Sequence, residues 1–187
     1  MKIGLDEYIE KGVSARKAID IEKIRFIANE MLSRFKRGGK LITFGNGGSA
    51  ADAQHFVGEL DGHFTIERGA LPAIALSTNT SSLTAIGNDY TYADVFSRPV
   101  SSLATSNDVI VGISTSGNSQ NVVNAMLEAK KKGALTVAMT GKAGGKLAGI
   151  ADMLLNADSD FTPVIQETHI TMIHMICLEI DNLMEKY

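Results

Sequence analysis

Residues 41–60 of the chain read LITFGNGGSAADAQHFVGEL and predict a strand, a glycine loop and a helix in direct succession. Apolar and β-branched residues lead to Gly45, and Ser49 is predicted to cap the run of good helix formers that follows. A helix start behind such a loop presents free N–H groups and the positive end of a helix dipole, so it favours a phosphate or a carboxylate. The spacing matches neither GxGxxG nor GxxxxGKS/T, so a nucleotide fingerprint is absent.

His55 and Glu59 follow within the same predicted helix. Their spacing of four residues places an imidazole and a carboxylate on one face of that helix. Such a pair suits acid/base chemistry or metal binding, and it is also common as a simple helix-stabilising contact. The pair by itself therefore leaves both interpretations open.

The composition is that of one α/β domain. The chain has 187 residues, of which 44% are hydrophobic and 21% charged, and this is enough for a single core. A net charge of −3 with 18 Lys and Arg lacks the footprint of a nucleic-acid binder, so we expect no nucleic-acid partner. Cys177 is the only cysteine, which excludes an internal disulfide, fits a reducing compartment and suits core filling.

The ends of the chain and its apolar runs give no sign of a membrane or export signal. The first ten residues include acidic side chains where a signal peptide needs an apolar core, and no apolar run approaches the length of a bilayer span. We therefore expect a cytoplasmic protein that has no membrane partner.

Helical and strand patterns alternate along the chain. The apolar spacing predicts a helical segment over residues 5–35, which two glycines then end. Further strands are predicted over residues 71–75, 109–113, 135–139 and 153–155. A short helix is predicted just before residues 87–90, whose turn residues end it. Further helices are predicted over residues 97–104 and 121–132. The last helix is predicted to have Thr162 as its cap and to run to the C-terminus.

The alternation implies a parallel sheet covered by helices on both faces, and thus the α/β class. Ligands of such sheets bind at the carboxyl ends of the strands, which selects the loops after the first and third strands. The second of these loops, residues 114–119, reads STSGNS and offers four hydroxyls and a helix start without any Arg or Lys. This composition suits a phosphate monoester, and an ordinary Ser/Thr cap cluster is the alternative.

The motifs, taken in order, resemble the sugar isomerase, or SIS, family. They are GNGGSAADAQH over residues 45–55, LTAIGNDY over 83–90 and GISTSGNS over 112–119, and IQExHxxxxH over 165–174 is similar to the phosphoheptose isomerase branch of that family. The resemblance implies a single SIS domain over residues 1–187, with a flavodoxin-like, doubly wound, five-stranded parallel sheet. Residues 1–39 would form an extra N-terminal helical segment that packs on the domain or between subunits. The resemblance also implies a homotetramer with active sites at subunit boundaries.

The activity that the resemblance implies is conversion of sedoheptulose 7-phosphate to D-glycero-D-manno-heptose 7-phosphate, for the heptose of the lipopolysaccharide core. This ketose-aldose isomerisation moves a proton between C1 and C2 through an enediol, so it needs a base and an acid. Glu59 and His174 match the acid/base positions of the family. We expect Glu59 to act as the base at carbon and His174 as the acid that serves oxygen.

The resemblance also assigns residues to the substrate and to a metal. The predicted substrate contacts are Asn46, Gly47, Ser49, Asp89, Ser114, Thr115, Ser116, Ser119 and Gln166. For Asp89 a turn-forming role is the alternative. The predicted ligands of one Zn²⁺ per subunit, as in some family members, are His55, Glu59, Gln166 and His174. His169 falls elsewhere on the last helix, and a purely structural histidine is the alternative there.

Two positions depart from the family pattern, because His63 and Val164 stand where members commonly carry arginine. A different sugar phosphate is therefore an alternative substrate. Another alternative is a non-catalytic relative that binds a phosphosugar or regulates the replication initiator, although such relatives lack the acid/base pair that Glu59 and His174 provide here. An etherase or a sugar-phosphate-sensing domain is a third, but these usually carry extra domains.

Overall fold

The computed structural model describes residues 3–185 of the chain. The helices of this range are α1 (Leu5–Lys17), α2 (Ile21–Phe35), α3 (Gly48–Asp61), α4 (Thr80–Asp89), α5 (Ser97–Leu103), α6 (Gln120–Lys131) and α7 (Thr162–Glu185). The strands are β1 (Leu41–Gly45), β2 (Ala73–Ala75), β3 (Val109–Ile113), β4 (Leu135–Thr140) and β5 (Met153–Asn156). Two short 3₁₀ helices cover Tyr92–Asp94 and Gly145–Gly149.

The strands form one parallel sheet in the order β2-β1-β3-β4-β5. This order confirms the predicted flavodoxin-like, doubly wound α/β fold. β1 and β3 are neighbours, and their register places Leu41 opposite Val109 and Gly45 opposite Ile113. The two loops predicted to form the site therefore leave the same edge of the sheet side by side, where the strand order reverses.

The core consists of two apolar layers, one on each face of the sheet. Alternate strand residues point to opposite faces, so Leu41 and Val109 pack with α2, α3 and α7, whereas Ile42 and Phe44 pack with α5 and α6. The central strands β1 and β3 are buried on both faces, which explains their continuous apolar runs. Cys177 of α7 is fully buried in the first layer, as expected.

The N-terminal helical segment consists of two helices, so the prediction of one helix over residues 5–35 was wrong. The helical conformation is interrupted before α2, where the Asp20 side chain accepts a hydrogen bond from the Lys23 N–H at 3.2 Å. Aspartate is a strong N-cap, and this local preference ends α1 although the apolar spacing continues. α1 packs on α7 through Tyr8, whose hydroxyl donates to Glu167, and leaves Leu5 exposed.

Two corrections concern the ends of α3 and β2. Ser49 does not cap α3, because the helix already begins at Gly48 and Gly47 takes the capping position with a φ of +56°. A positive φ is accessible to glycine at little cost, so the helix is capped two residues earlier than predicted. β2 begins at Ala73 rather than at residue 71, because the Leu71 N–H donates to the carbonyl of Leu60 instead of joining the sheet.

Two further helix boundaries differ from their predictions. Residues 87–90 do not break α4, which continues to Asp89, because the Tyr90 N–H still donates to the carbonyl of Ile86. Thr162 is the first residue of α7 rather than the residue before the helix. Within residues 3–185, no helix combines the length and the apolar character that crossing a bilayer requires.

Substitution of Gly117 by alanine tests the packing between the two loops at the carboxyl ends of β3 and β4. Gly117 has a φ of +66°, and an added Cβ would lie 2.0 Å from the carbonyl oxygen of Gly144. We expect Gly117→Ala to lower the free energy of unfolding by about 3 kcal/mol, through backbone strain and overpacking. Urea unfolding measures this loss.

Gly58→Ala is the matched control for that substitution. Gly58 lies inside α3, and an added Cβ would meet nothing within 4 Å. We expect this variant to be about 0.5–1 kcal/mol more stable than the wild type, because alanine is the better helix former. Equal stabilities of the two variants would contradict the proposed packing constraint.

Candidate active site

His55, Glu59 and His174 meet between α3 and α7. The His55 Nε2 and Glu59 Oε1 atoms are 2.7 Å apart, and the Nε2 atoms of His174 and His55 are 3.5 Å apart. One possible ligand atom of each residue lies within 4.8 Å of the others. The helical spacing predicted the first contact, and the packing of α7 on α3 brings in the third residue. We call these three residues the triad.

Aromatic packing holds the His174 ring. The ring centroids of Phe64 and His174 are 5.4 Å apart with an interplanar angle of 31°, and the ring of His55 meets that of His174 edge-on at 5.1 Å. Phe64 lies in the loop after α3, so this loop contributes one wall of the triad's surroundings. The imidazole of His174 is half-buried, which leaves one side open to a ligand.

Asp52 is a further titratable group beside the triad, and the sequence analysis missed it. It lies on α3 three residues before His55 and seven before Glu59, so the three side chains share one helix face. Within residues 3–185, its Oδ2 atom is buried without a hydrogen-bond partner. Burial raises the pKa of Asp52 to about 6, against the attraction of His55. The spacing was the signal that could have identified this residue.

The glycine loop after β1 is shaped by contact with α7. A Cβ on Gly48 would lie 2.4 Å from Nε2 of Gln166, so a larger residue at this position would force the end of the Gln166 side chain to move. Gln166 therefore packs directly over the start of α3. Ser49 is buried in this turn, and its N–H donates to the carbonyl of Asn46. The helix start thus contacts α7 through Gln166, while Gly47 and Gly48 themselves stay exposed.

Asn46 is held by two residues that the motif analysis missed. Its side-chain amide forms a mutual pair with that of Asn121, with both N–O distances 2.9 Å. The Tyr92 hydroxyl also donates to Asn46 Oδ1 at 3.0 Å. These bonds fix the glycine loop against the start of α6. Neither partner carries a sequence signal, because they lie 46 and 75 residues away from Asn46.

The hydroxyls of the loop after β3 converge, as the predicted phosphate site requires. Ser114 Oγ is 3.0 Å from Ser119 Oγ and 3.5 Å from Ser116 Oγ. Thr115 and Ser116 also line a cavity of about 240 Å³, together with residues 141–143 and the first residue of α7. The N–H of Gly141 donates to the carbonyl of Thr115, which ties this loop to the loop after β4.

Other predicted or discussed positions lie outside this group. Asp89 is the exposed last residue of α4, and its Oδ1 accepts from the Asn88 side chain at 2.9 Å. His63 is exposed in the loop after α3, and Val164 is buried in the first turn of α7. A cation at the buried position would need a partner that an apolar valine does not need.

His169 occupies a structural position. It is fully buried, and its Nε2 donates to the carbonyl of Thr140 at 2.9 Å, since a carbonyl can only accept. Within residues 3–185, its Nδ1 atom has no hydrogen-bond partner. Burial lowers the pKa of His169 to about 4, and the bond to Thr140 opposes this shift. The geometry therefore favours the structural alternative over a role in the site.

Comparison with known proteins agrees with this fold. The family model described as "SIS domain" matches residues 7–141. The match covers more than half of the chain, from α1 to the end of β4, and includes the glycine loop, His55, Glu59 and the serine loop. The chain therefore belongs to the SIS domain family.

Similar proteins assign it to one branch of that family. The chain is 61% identical to the probable phosphoheptose isomerase of Thermoplasma acidophilum, over 94% of this chain and 96% of that protein. Phosphoheptose isomerase GmhA from Neisseria gonorrhoeae superimposes with a TM-score of 0.87 at 45% identity, covering 95% of this chain and 94% of the other. The Francisella tularensis phosphoheptose isomerase gives 0.90 at 36% identity, covering 95% and 96%. The branch is that of the phosphoheptose isomerases, which are enzymes.

The buried His169 predicts a loss of stability in acid. The pKa of His169 is about 4 in the folded chain, against 6.5 for an ordinary histidine, which represents the unfolded chain. Between these two pH values the unfolded chain binds a proton at this histidine, whereas the folded chain does not. The folded chain therefore has its full stability above about pH 7 and loses about 2 kcal/mol of its free energy of unfolding by about pH 5. Urea unfolding at the two pH values measures it.

The His169→Gln variant should show a flatter dependence of stability on pH, although the variant itself is less stable. His63→Gln is the matched control, because this histidine is exposed. The control should keep the dependence of the wild type. A wild-type slope in His169→Gln would contradict the assignment.

Proposed function

We propose that the chain interconverts sedoheptulose 7-phosphate and D-glycero-D-manno-heptose 7-phosphate. The observation that carries the proposal is the meeting of Glu59 and His174 through His55, beside two loops that offer amides and hydroxyls at the carboxyl ends of β1 and β3. The chain's similarity to proteins named phosphoheptose isomerase supports this choice of substrate. A place in lipopolysaccharide core synthesis stays a prediction from the resemblance.

Each part of the site has a role in this reaction. Ser114, Ser116 and Ser119 bind the phosphate with their hydroxyls, and the start of α3 contributes N–H groups and a positive dipole end. Glu59 removes the proton at carbon and returns it to the neighbouring carbon. His174 donates a proton to the oxygen that becomes negative in the enediol, and retrieves it afterwards.

The triad also fits a zinc ion. Zinc prefers histidine nitrogens and carboxylate oxygens at about 2.0–2.2 Å, and tetrahedral ligands at that distance lie about 3–3.5 Å apart. The observed separations of 2.7 Å and 3.5 Å are close to this spacing. His55, Glu59 and His174 would hold the ion, with Gln166 as the proposed fourth ligand, and Glu59 would be a poorer base while it binds the metal. Bound zinc would stabilise negative charge on the substrate oxygen.

The alternatives differ in what the triad would do. A phosphosugar-binding or regulatory relative needs the two loops but no acid/base pair, whereas an isomerase of another sugar phosphate needs both. The presence of Glu59 and His174 with side-chain atoms within 4.8 Å of each other favours the isomerase class. His63 and Val164, where arginine is common in the family, keep another sugar phosphate as the runner-up.

We further propose a homotetramer in the cytoplasm, as the resemblance implies. Leu5 and Ile9 support the oligomer, because they lie one turn apart on α1, are 84% and 58% exposed and offer apolar surface that a second subunit could cover. The arrangement of active sites at subunit boundaries rests on the resemblance alone.

A turnover assay with variants tests the proposed function. The wild type should convert sedoheptulose 7-phosphate faster than other ketose phosphates. Glu59→Gln and His174→Ala should each lower kcat by about 100- to 10,000-fold, because each removes a group that transfers a proton in the reaction. Glu22→Gln, which changes an exposed glutamate of α2, is the matched control and should keep wild-type turnover.

Three outcomes of that assay are decisive. Near-normal turnover by either site variant would refute the role of that residue. Turnover of a different ketose phosphate would establish the runner-up substrate. Failure of the folded wild type to convert any of them would favour the binding-protein class.

Metal analysis of protein purified without chelators tests the zinc site. We expect about one Zn²⁺ per chain, bound with a much lower affinity by His55→Ala than by the wild type, because the variant removes the ligand between the other two. His63→Ala is the control and should bind as the wild type does. Equal zinc content in both variants would contradict the proposed ligand set.

A further inference from the structure

Arg68 and Asp181 form a buried ion pair close to the triad but outside it. The Arg68 Nε and Asp181 Oδ1 atoms are 2.9 Å apart, and the two side chains are only 3% and 1% exposed. Charged side chains are rarely buried to this degree unless their hydrogen-bonding groups find partners. The partners of this pair show what it holds in place.

The guanidinium of Arg68 binds the C-terminal end of α3. One terminal nitrogen donates to the carbonyl of Glu59 at 2.7 Å, and the other donates to that of Leu60 at 2.9 Å. The last carbonyls of a helix have no partner within the helix, and a cation there also complements the helix dipole. Arg68 therefore fixes the backbone of the residue that carries the proposed base.

The carboxylate of Asp181 binds the loop that leads away from α3. Its Oδ2 accepts from the Thr65 N–H at 2.7 Å, from the Thr65 hydroxyl at 2.9 Å and from the Ile66 N–H at 3.3 Å. Phe64, whose ring lies against His174, immediately precedes Thr65. Burial raises the pKa of Asp181, but these bonds and Arg68 outweigh it and lower the pKa overall, so the group stays charged.

Asp181 lies on α7 seven residues after His174, which is two turns along the same face of the helix. The ion pair thus connects the helix that carries His174 with the end of the helix that carries Glu59. It also fixes the loop that places Phe64 on the imidazole.

We propose that the Arg68–Asp181 pair is a positioning device for the isomerisation, which sets the placement of Glu59 and Phe64 relative to His174. The proposal rests on the function proposed above. The base must reach two adjacent carbons and the acid an oxygen of the same substrate, and a misplacement of about 1 Å can cost about 100-fold in rate. The serine loop after β3 makes no contact with the pair in the hydrogen bonds of residues 3–185, so binding of the phosphate is expected to persist.

A second buried ion pair offers a matched control. Asp108 is fully buried, binds Lys40 Nζ at 2.9 Å and accepts from the N–H groups of Lys40 and Thr105. It resembles Asp181 in burial, charge partner and bonds to backbone amides. It precedes β3, however, so it lies at the amino ends of the strands, opposite the site.

The kinetic test compares Asp181→Asn with Asp108→Asn. An asparagine keeps the size of the side chain but has only one acceptor oxygen, so it cannot bind Arg68 and the Thr65 amide together. We expect Asp181→Asn to lower kcat by about 10- to 100-fold while KM changes by less than about threefold. Asp108→Asn should lower the thermal midpoint comparably and leave kcat within about twofold.

Arg68→Lys separates positioning from folding. Lysine keeps the charge opposite Asp181 but lacks the planar fork that reaches the carbonyls of Glu59 and Leu60. We expect the same selective loss of kcat with a smaller loss of thermal stability, and this variant carries the test if Asp181→Asn does not fold. Unchanged kcat in a folded variant at either position, or an equal loss of kcat in Asp108→Asn, would overturn the proposal.

Histidine NMR gives a readout that does not depend on turnover. The chain has four histidines, so the ring Hε1 signals are few, and His174→Ala identifies that of His174. Because the Phe64 ring shifts this signal, it should move in Asp181→Asn and stay in place in Asp108→Asn. An unmoved signal in both would overturn the positioning role. Absence of turnover by the wild type would refute the proposed function only, and the NMR comparison would still decide the role of the pair.

Discussion

The in-register pairing of β1 with β3 is the constraint on which the rest of the structure depends. Gly45 lies opposite Ile113, so the chain leaves both strands at the same height. β1 then continues into α3 on one face of the sheet, and β3 continues into α6 on the other. The divergence opens a crevice between two helix starts, and the amide and hydroxyl groups of both loops converge there.

The packing of α7 along α3 is the second constraint, and it determines the acid/base geometry. Gln166 covers Gly48 at the start of α3, His174 meets His55 in the middle, and Asp181 reaches the loop after the end. The contacts advance in the same direction along both helices, so the helices run parallel. This is expected of two helices that each follow a strand of one parallel sheet. One helix pair thus places the proposed phosphate-binding end and the proposed proton-transfer end of the site together.

Patterns with a short period predicted most of the fold and the first contact of the triad. Strand runs bounded by glycine gave the five strands and their loops, and the four-residue spacing gave the His55–Glu59 contact. The break before α2 coincides with the cap residue Asp20, and the prediction used the apolar spacing without considering this cap. The preference of aspartate for the N-cap and the amphipathic period are separate signals. Here the N-cap determined where α2 begins.

Contacts between distant residues could not be predicted in this way. The amide pair of Asn46 with Asn121 joins positions 75 residues apart, and the bond of Arg68 with Asp181 joins positions 113 apart. Neither depends on a period or a motif, because each requires two helices to be placed before its partners can meet. The same holds for the burial that raises the pKa of Asp52. The sequence therefore indicated which side chains could form the site, but it did not indicate which residues hold those side chains in place.

The electrostatics of the proposed phosphate site explain why its loops are packed so closely. Lys142 lines the cavity beside Thr115 and Ser116, but its ammonium binds Asp158 at 2.8 Å, and this hydrogen bond raises the pKa of Lys142. The ammonium of Lys142 is thus neutralised by the carboxylate of Asp158. The charge of a phosphate in the proposed site would therefore be stabilised by N–H and O–H dipoles. The energy of a dipole falls with distance faster than that of a charge, so such a cradle works only when its donors are held at contact distance. In the proposed site, the close approach of Gly117 to the backbone of Gly144 would hold the donors of the two loops at such a distance.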